Sequence, residues 1–508
     1  MKRVSFWFCL TVLSISSGCV TQNEVLNQGK PYLVETIVMP ENLTAEVGAI
    51  DFFPDGRLVA AFMRGEVMVY DPETKEWKLF AEGLHEPLGL LVVNSSEVLV
   101  MQLPELTRIK DTDNDGKADV YEKVTDDFGI TGNYHEFAYG PVKDKAGNLY
   151  IALNSASSGG KMRNEVRGDI NLLGRDGETG NRQMFSTVPY RGWVMKLTPN
   201  GKLIPYASGF RSPNGLGFDD KGNLMVSDNQ GDWVGTSPLF HVEEGKFYGH
   251  PASLVWRKGW DKGSPFQLTA SELDSLRTPG SVLFPHGIIA NSPTQPLNDN
   301  TKGKFGPFEN QLFIGEMNKE RIVRVMLEKV GGELQGASIP FLDGQGLRKG
   351  NNRLAFAPDG SLWVGQNDHE WLGDRGIQRI VFTGKKPLDI QTMHLTHDGF
   401  ELTFTQPINK ELALNPDNYK FKHYYYEYHK KYGSDQMDVQ EVPVMEVKVS
   451  SNRKKVSIVL DKSFLKPGYV YELNLSNIQN DSNEPLDNKI VCYTLNNLQS
   501  DSFWSFLR

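Results

Sequence analysis

Four stretches of this chain repeat one local pattern, and that repeat restricts the fold more than any other feature. Phe53-Pro54-Asp55-Gly56-Arg57-Leu58-Val59, Lys145-Ala146-Gly147-Asn148-Leu149-Tyr150-Ile151, Asp220-Lys221-Gly222-Asn223-Leu224-Met225-Val226 and Ala357-Pro358-Asp359-Gly360-Ser361-Leu362-Trp363-Val364 share it. Alternating apolar runs joined by Asp-Gly or Gly-Asn turns are β-hairpins, because such turns need residues that tolerate positive φ. A second pattern precedes some of them. Gly83-Leu84-His85-Glu86-Pro87-Leu88-Gly89-Leu90 and Gly209-Phe210-Arg211-Ser212-Pro213-Asn214-Gly215-Leu216 match in internal spacing, and Pro285-His286-Gly287-Ile288 repeats the end. The offsets Pro87 to Pro213 and Pro213 to Pro285 fit a unit of roughly 60 to 70 residues, with two units in the first interval. Short-stranded sheets repeated without helical periods between them read as propeller blades, and the stretch from about residue 35 to 385 holds about six. In a propeller the loop entering the innermost strand lies at the channel mouth, so His85, Arg211 and His286 are expected at comparable places around it.

After Phe382 the texture changes. Phe400-Glu401-Leu402-Thr403-Phe404, Lys455-Val456-Ser457-Ile458-Val459-Leu460 and Tyr469-Val470-Tyr471-Glu472-Leu473-Asn474-Leu475 alternate strictly, and Asp-Gly turns become rarer. Half-buried strands of this kind predict an immunoglobulin-like β-sandwich. The expected architecture is all-β: a linker over 20–34, a six-bladed β-propeller over 35–385, a separate sandwich over 386–498 and a tail over 499–508. Tyr424, Tyr426 and Tyr428 fall on one strand face, which suits core or inter-domain packing, with a sugar-stacking platform as the alternative.

Residues 1–19 read as an export signal: Lys2 and Arg3, an apolar run from Phe6 to Ile15, then Ser16-Ser17-Gly18-Cys19. A small residue before Cys19 resembles the lipobox of bacterial lipoproteins, although that pattern prefers Leu where Ser16 stands; an ordinary cleaved signal is the alternative. Elsewhere no stretch reaches the 18 or more apolar residues of a membrane span. The expected location is the bacterial cell envelope, outer membrane or periplasm, with the membrane met only through lipid. Of three cysteines only Cys492 lies outside the leader, so no disulfide is expected there, and the chain lacks the Cys-x-x-Cys-His run of a c-type haem. With 54 Lys+Arg against 63 Asp+Glu, a formal charge of −9, it offers no basic stripe for nucleic acid.

Three constellations carry chemistry. In Asp111-Thr112-Asp113-Asn114-Asp115-Gly116-Lys117-Ala118-Asp119-Val120-Tyr121-Glu122, carboxylates stand at positions 1, 3, 5, 9 and 12 with Gly at 6, the spacing of an EF-hand loop. Asp111, Asp113, Asp115, Asp119 and Glu122 with the Lys117 carbonyl are the expected Ca²⁺ ligands, against a solvated acidic turn. Since the flanks read as strands, such a loop would staple a blade. His135 precedes a hairpin by a few residues, and a histidine at the channel end of a strand suits general-base work; a structural histidine is the competing reading. Arg211 reads as a channel-mouth cation for a carboxylate or quinone oxygen. Asp228-Asn229-Gln230-Gly231-Asp232-Trp233 follows one hairpin later as either a ligand loop or a polar turn that bonds its own backbone. Arg348, Asn352, Arg353 and Arg375 bring further polar groups to the last blade.

Taken together, Gly209 to Leu216, Asp228 to Trp233 and Gly245-Lys246-Phe247-Tyr248-Gly249-His250-Pro251 resemble the soluble quinoprotein glucose/sorbosone dehydrogenase family, a six-bladed propeller. They are similar above all to its predicted membrane-associated dehydrogenase branch of bacteria, often joined to cytochrome c or cupredoxin domains. The resemblance implies oxidation of a sugar or polyol, with His135 taking the hydroxyl proton while hydride passes to pyrroloquinoline quinone. It implies that Arg211 contacts the quinone, that Asp228, Asn229, Asp232, Arg348 and Arg353 surround the cofactor, and that Ca²⁺ polarises it. Electrons would leave to a separate cytochrome c or cupredoxin. Ser212 stands where the family has Asn, Tyr134 where an acid precedes the His, and the family's Gln-Gly-Gly segment has no clear counterpart. Two other classes use the same polar channel: a non-enzymatic lipoprotein binding glycans or proteins, and a calcium-dependent hydrolase or lyase.

Overall fold

The computed structural model describes residues 29–163, 166–177, 183–369 and 372–499. The leader with Cys19 and the tail from residue 500 lie outside the described residues. Six blades of four antiparallel strands follow one another, five as separate sheets and the fifth blade as half of a larger one, and their first strands are Val47–Phe52, Gly89–Asn94, Ala138–Lys143, Gly215–Phe218, Pro293–Asn298 and Asn351–Phe356. These six strands pack on one another around a common channel. The chain is a six-bladed β-propeller followed by a β-sandwich.

The repeated turns connect the first and second strands of blades 1, 3, 4 and 6. In blade 3, Asp144 accepts from the Ala146 and Asn148 amides and from the Asn148 side chain, and Gly147 takes φ +87°. Asp219 does the same for Lys221 and Asn223 in blade 4. The turn sequence is therefore legible because its side chains satisfy the backbone groups the turn exposes.

Period-two alternation divides each blade's side chains between its two neighbours. In Leu58–Phe62, Val59 and Ala61 pack toward blade 2, while Leu58, Ala60 and Phe62 pack toward blade 6. Both faces are buried, so the strand reads as an almost continuous apolar run. The ring is closed by Tyr32–Ile37, which pairs with Gly376–Phe382 from Tyr32↔Phe382 to Ile37↔Ile377 as the fourth strand of blade 6. That pairing ties the N-terminal strand to the last blade as its outermost strand and so joins the two ends of the ring.

The sandwich is not separate. Glu333–Phe341, the outer strand of blade 5, pairs with Ile490–Leu495, giving one eight-stranded sheet that runs from the propeller into the sandwich. A second sheet of four strands packs on it around Phe400, Phe421, Tyr471 and Tyr493. The seam is apolar at Tyr424, Val470 and Cys492 against Leu239, Ile314 and Val325, and ionic where Arg324 meets Asp389 at 2.9 Å. Burial pushes the Cys492 thiol well up, so this lone cysteine is an inert core residue. The Tyr424–Tyr428 face is packing: Tyr424 is fully buried, and the Tyr428 hydroxyl donates to the Gly249 carbonyl of the propeller at 2.5 Å.

Candidate active site at the channel mouth

All six inner strands start at the same end of the channel, so the segments just before them gather at one mouth. His135, in the loop before Ala138–Lys143, is held there by its neighbours. Asn133 Oδ1 accepts from the His135 amide at 3.1 Å and from the Ser157 amide at 3.0 Å, while its Nδ2 donates to the Ser157 carbonyl. Next in the chain, buried Glu136 accepts from the Thr131 amide and hydroxyl. The loop is thus over-determined by buried hydrogen bonds.

The His135 ring faces the Ser155 carbonyl through Nδ1 at 3.0 Å and the Ser212 hydroxyl through Nε2 at 3.5 Å. A carbonyl oxygen can only accept, so Nδ1 carries the proton and Nε2 carries the lone pair. Burial draws the imidazole down to about 4, the Ser155 carbonyl opposing and the Arg211 charge reinforcing that shift. At neutral pH His135 is an uncharged base with its accepting nitrogen toward Ser212. Asn154 Nδ2 donates to the same hydroxyl at 3.3 Å, which orients the Ser212 proton toward His135.

Arg211 stands in the loop before Gly215–Phe218, 4% exposed. Its Nε donates to Asp232 Oδ1 at 2.8 Å, and its guanidinium carbon lies 5.3 Å from the Tyr432 ring centre. Its terminal nitrogens have no hydrogen-bond partner among the described residues. Asp232 Oδ2 accepts from His250 Nε2 at 3.1 Å and from the Met184 amide at 2.9 Å. Burial alone would raise Asp232, yet His250 and Arg211 beside it hold its carboxyl well below the usual range.

The rest of the Asp228 to Asp232 run holds the Arg211 loop. Asp228 accepts from the amides of Arg211 at 2.8 Å, Ser212 at 2.7 Å and Asn229 at 2.7 Å, engaging both carboxylate oxygens. Asn229 donates to the Ser212 carbonyl and accepts from the Ser292 hydroxyl. The run therefore behaves as a backbone-bonding turn whose groups are already satisfied, and only its Asp232 reaches a charged side chain of the mouth.

Arg353 lies at the floor. It donates to the carbonyl oxygens of Leu88, Asn214 and Asn352 and to the side chains of Asn214 and Asn352, with Tyr139 4.7 Å beneath its guanidinium carbon. Burial lowers it to about 10. It ties blades 2, 4 and 6 together. On its far side a cavity of about 360 Å³ runs between the inner strands, lined by Pro141, Phe218, Pro296 and Phe356. None of His135, Arg211, Asp232 or His369 lines it, so this polar group stands apart from the cavity. Arg348 turns into blade 6, donating to Gln366 at 2.6 Å, and does not join the His135–Arg211 group. His85 and His286 sit in the equivalent loops of blades 2 and 5, both exposed.

One mouth residue carries no sequence motif. His369, half-buried at φ +46°, packs 5.2 Å from Phe137 between ring centres, and burial, Arg353 and His135 together lower it to about 4. Two neutral imidazoles therefore face the same mouth.

The acidic loop lies elsewhere, in the outer hairpin of blade 2 between Leu106–Lys110 and Val120–Thr125. Carboxylate oxygens of Asp111, Asp113 and Asp115 come within 4.8 Å of one another. Asp119 instead accepts from the Thr112 amide and hydroxyl, Glu122 pairs with Lys110 at 2.9 Å, and the Lys117 ammonium lies 3.9 Å from Glu82. Three of the six expected ligands converge, at the propeller rim and away from the mouth.

The model of the domain of unknown function DUF7133 matches residues 66–366, more than half of the chain. The chain belongs to the DUF7133 family. The matched region of this DUF7133 protein contains His135, Arg211, Asp232 and Arg353 but neither His369 nor the sandwich. No curated protein matches the chain. Among solved structures it is similar to a proposed glucose dehydrogenase of Thermus thermophilus, at 18% identity and TM-score 0.49 over 69% of this chain and 100% of that one. It is similar also to the PQQ-bound aldose sugar dehydrogenase of Streptomyces coelicolor, at 17% and 0.46 over 69% and 98%. The holo PQQ domain of the Coprinopsis cinerea pyranose dehydrogenase follows, at 13% and 0.47 over 69% and 95%.

Proposed function

We propose that this DUF7133 protein is an exported propeller oxidoreductase that oxidises a hydroxyl group of a sugar or polyol, with His135 as the general base. One observation carries the reading: the Nδ1 proton of His135 is fixed on the Ser155 carbonyl, so its lone pair points to the mouth beside the Arg211 guanidinium that Asp232 holds through Nε. The 3.5 Å contact to Ser212 is long for a hydroxyl–imidazole bond. A substrate hydroxyl approaching to about 2.8 Å competes it away and passes its proton to Nε2. Arg211 lowers the basicity of His135 and, by the same field, favours the anionic oxygen left behind. Asp232 keeps the guanidinium in place, and Asp228 keeps its loop in place.

Pyrroloquinoline quinone, the cofactor that the resemblance implies, would supply the hydride acceptor when bound. The residues fit it at one edge. Arg211, whose terminal nitrogens have no hydrogen-bond partner among the described residues, is a donor that a quinone or carboxylate oxygen would satisfy. Asp228, Asn229 and Arg353 would act behind that edge by holding loops. The test is reconstitution with pyrroloquinoline quinone and Ca²⁺, followed by dye reduction over a panel of aldoses and polyols. The expected result is turnover that depends on the quinone; a wild-type protein that neither binds it nor reduces the dye overturns the proposal.

Calcium at the rim loop belongs to the same reading, as a staple of blade 2. Asp111, Asp113 and Asp115 offer half of a six- to eight-oxygen shell, and Asp119 and Glu122 would have to turn inward to complete it. An ion that binds only the folded state stabilises it by about 2.7 kcal/mol at a hundredfold excess over Kd. Chelator is therefore expected to lower the melting temperature of wild type but not of Asp113→Ala, as read by calorimetry; equal melting with and without chelator in wild type removes the ion. Lipidation of Cys19 and electron transfer to a separate cytochrome c or cupredoxin complete the proposal for the cell envelope. Loss of membrane attachment in Cys19→Ala would check the anchor.

A further inference from the structure

The smaller sheet of the sandwich runs in the order Ile390–Leu395, Gly399–Phe404, Lys455–Leu460, Val444–Val449, so Val444–Val449 is one of its edges. On one side this strand pairs with Lys455–Leu460, in regular register from Glu446↔Val459 to Val449↔Val456. On the other side no strand follows, and among the described residues no backbone hydrogen bond reaches it from outside its own sheet. Successive residues of a strand aim their N–H and C=O groups to opposite sides, so half of these groups face outward along the edge.

The side chains divide with the same period. Val447 and Val449 pack on the sandwich core, beside Ala413 of the short helix Lys410–Leu414, yet both are only half-buried. Glu446 and Lys448 stand on the solvent face, where they pair at 2.8 Å while remaining 53% and 63% exposed. Met445, at the bulge that precedes them, is 64% exposed. Natural sheets block such an edge with prolines or inward-pointing charges, and Val444–Val449 contains neither.

The strand is complementary to itself when reversed. Laid antiparallel on a second copy about a two-fold axis at Val447, it sets Val447 against Val447, Glu446 against Lys448 of the second copy, and Met445 against its Val449. The symmetry makes each unlike contact twice. The in-chain pairs are kept, the four charges alternate around the axis on the solvent face, and the half-buried valine flanks close on one another. The neighbouring in-phase registers would set Glu446 against Glu446 or Lys448 against Lys448, so the charges also select the register.

We infer that Val444–Val449 is the seam of a two-fold dimer of this chain, formed by strand addition between the sandwich domains. The seam lies outside the DUF7133 region and is independent of the quinone reading. The experiment is sedimentation velocity over a concentration series of full-length wild type, Glu446→Lys, Lys448→Glu and the double variant that exchanges the two charges. Wild type is expected to pass from monomer to dimer as concentration rises. Each single variant places like charges across both symmetry-related pairs and is expected to weaken self-association by about tenfold. The double variant restores unlike pairs and should dimerise as wild type does, and the two single variants, mixed in equal amounts, should associate with each other. Thermal unfolding of all four at dilute concentration should coincide, because both side chains are exposed, which separates loss of the seam from loss of the fold. A wild type that stays monomeric throughout the series overturns the inference, and so does a dimer that neither single variant weakens.

Discussion

Replacing His135 with alanine is expected to lower turnover by about 10²- to 10⁴-fold, the usual contribution of a positioned base. The pH profile separates this base from an ordinary histidine. The imidazole must be unprotonated to accept a proton, and burial with the neighbouring Arg211 holds it down to about 4. kcat/KM should therefore climb with pH through about 4 and be flat above 5, whereas a solvent-exposed histidine would place the rise near 6.5. A rise centred near 6.5 would show that the base lies elsewhere. The same shift acts on stability with a definite sign. Between about 4 and 6.5 the unfolded chain binds a proton at His135 that the folded chain refuses, so stability rises with pH across that window and is lost on acidification. His369 adds to this in the same direction. A His135→Gln variant should show a shallower fall in melting temperature between pH 6.5 and 4 than wild type, alongside its loss of turnover.

What the sequence disclosed about this molecule follows from where each feature's information resides. The hairpin turns were legible because Asp144, Asp219 and Asp359 each satisfy amides within four residues, so residue type and local geometry determine one another. The pairing of Tyr32–Ile37 with Gly376–Phe382 was not, since its register is set by partners more than 300 residues away. Nor was the continuity of blade 5 with the sandwich: Gly336, Ala337 and Ser338 meet Thr494, Tyr493 and Cys492 in a pairing that leaves no local mark.

The site shows the same division. His135 and Arg211 were readable from their place before the inner strands, a topological property that repeats. For Asp228, Asn229 and Arg353 the sequence gives residue type but not what the side chain meets, and here all three meet backbone. The polar-turn reading describes Asp228 and Asn229. His369 lies in the loop between the second and third strands of the last blade, without a motif, and Tyr432 arrives from another domain, so neither could be found by spacing. His250 was visible only as part of the segment Gly245 to Pro251, without a hint that it supports Asp232.

Asp232→Ala is expected to destabilise the protein by about 3 to 5 kcal/mol, because the Arg211 guanidinium is 4% exposed and would be left without its partner. At this chain length that corresponds to a fall of roughly 3 to 5 °C in melting temperature. The isosteric change is informative because it keeps the volume. In Asp232→Asn one oxygen can still accept from Arg211 Nε, but the amide nitrogen then faces the Met184 amide and His250 Nε2. The Met184 amide is itself a donor, so a donor meets a donor in a buried site. The carboxylate is held below its ordinary range, so its contribution is fully present above about pH 4, where the unfolded aspartate is already ionised. It is lost as the pH falls toward the folded value. The stability gap between wild type and Asp232→Asn should therefore be constant from neutral pH down to about 4 and shrink only below that. The His135 window lies higher, between about 4 and 6.5, so the two substitutions affect different parts of one acid-unfolding curve. A gap that already closes between pH 6.5 and 4 would show that the folded carboxylate is not held below its ordinary range. An unchanged melting temperature in Asp232→Ala would mean that Arg211 is held by the Tyr432 loop without the carboxylate.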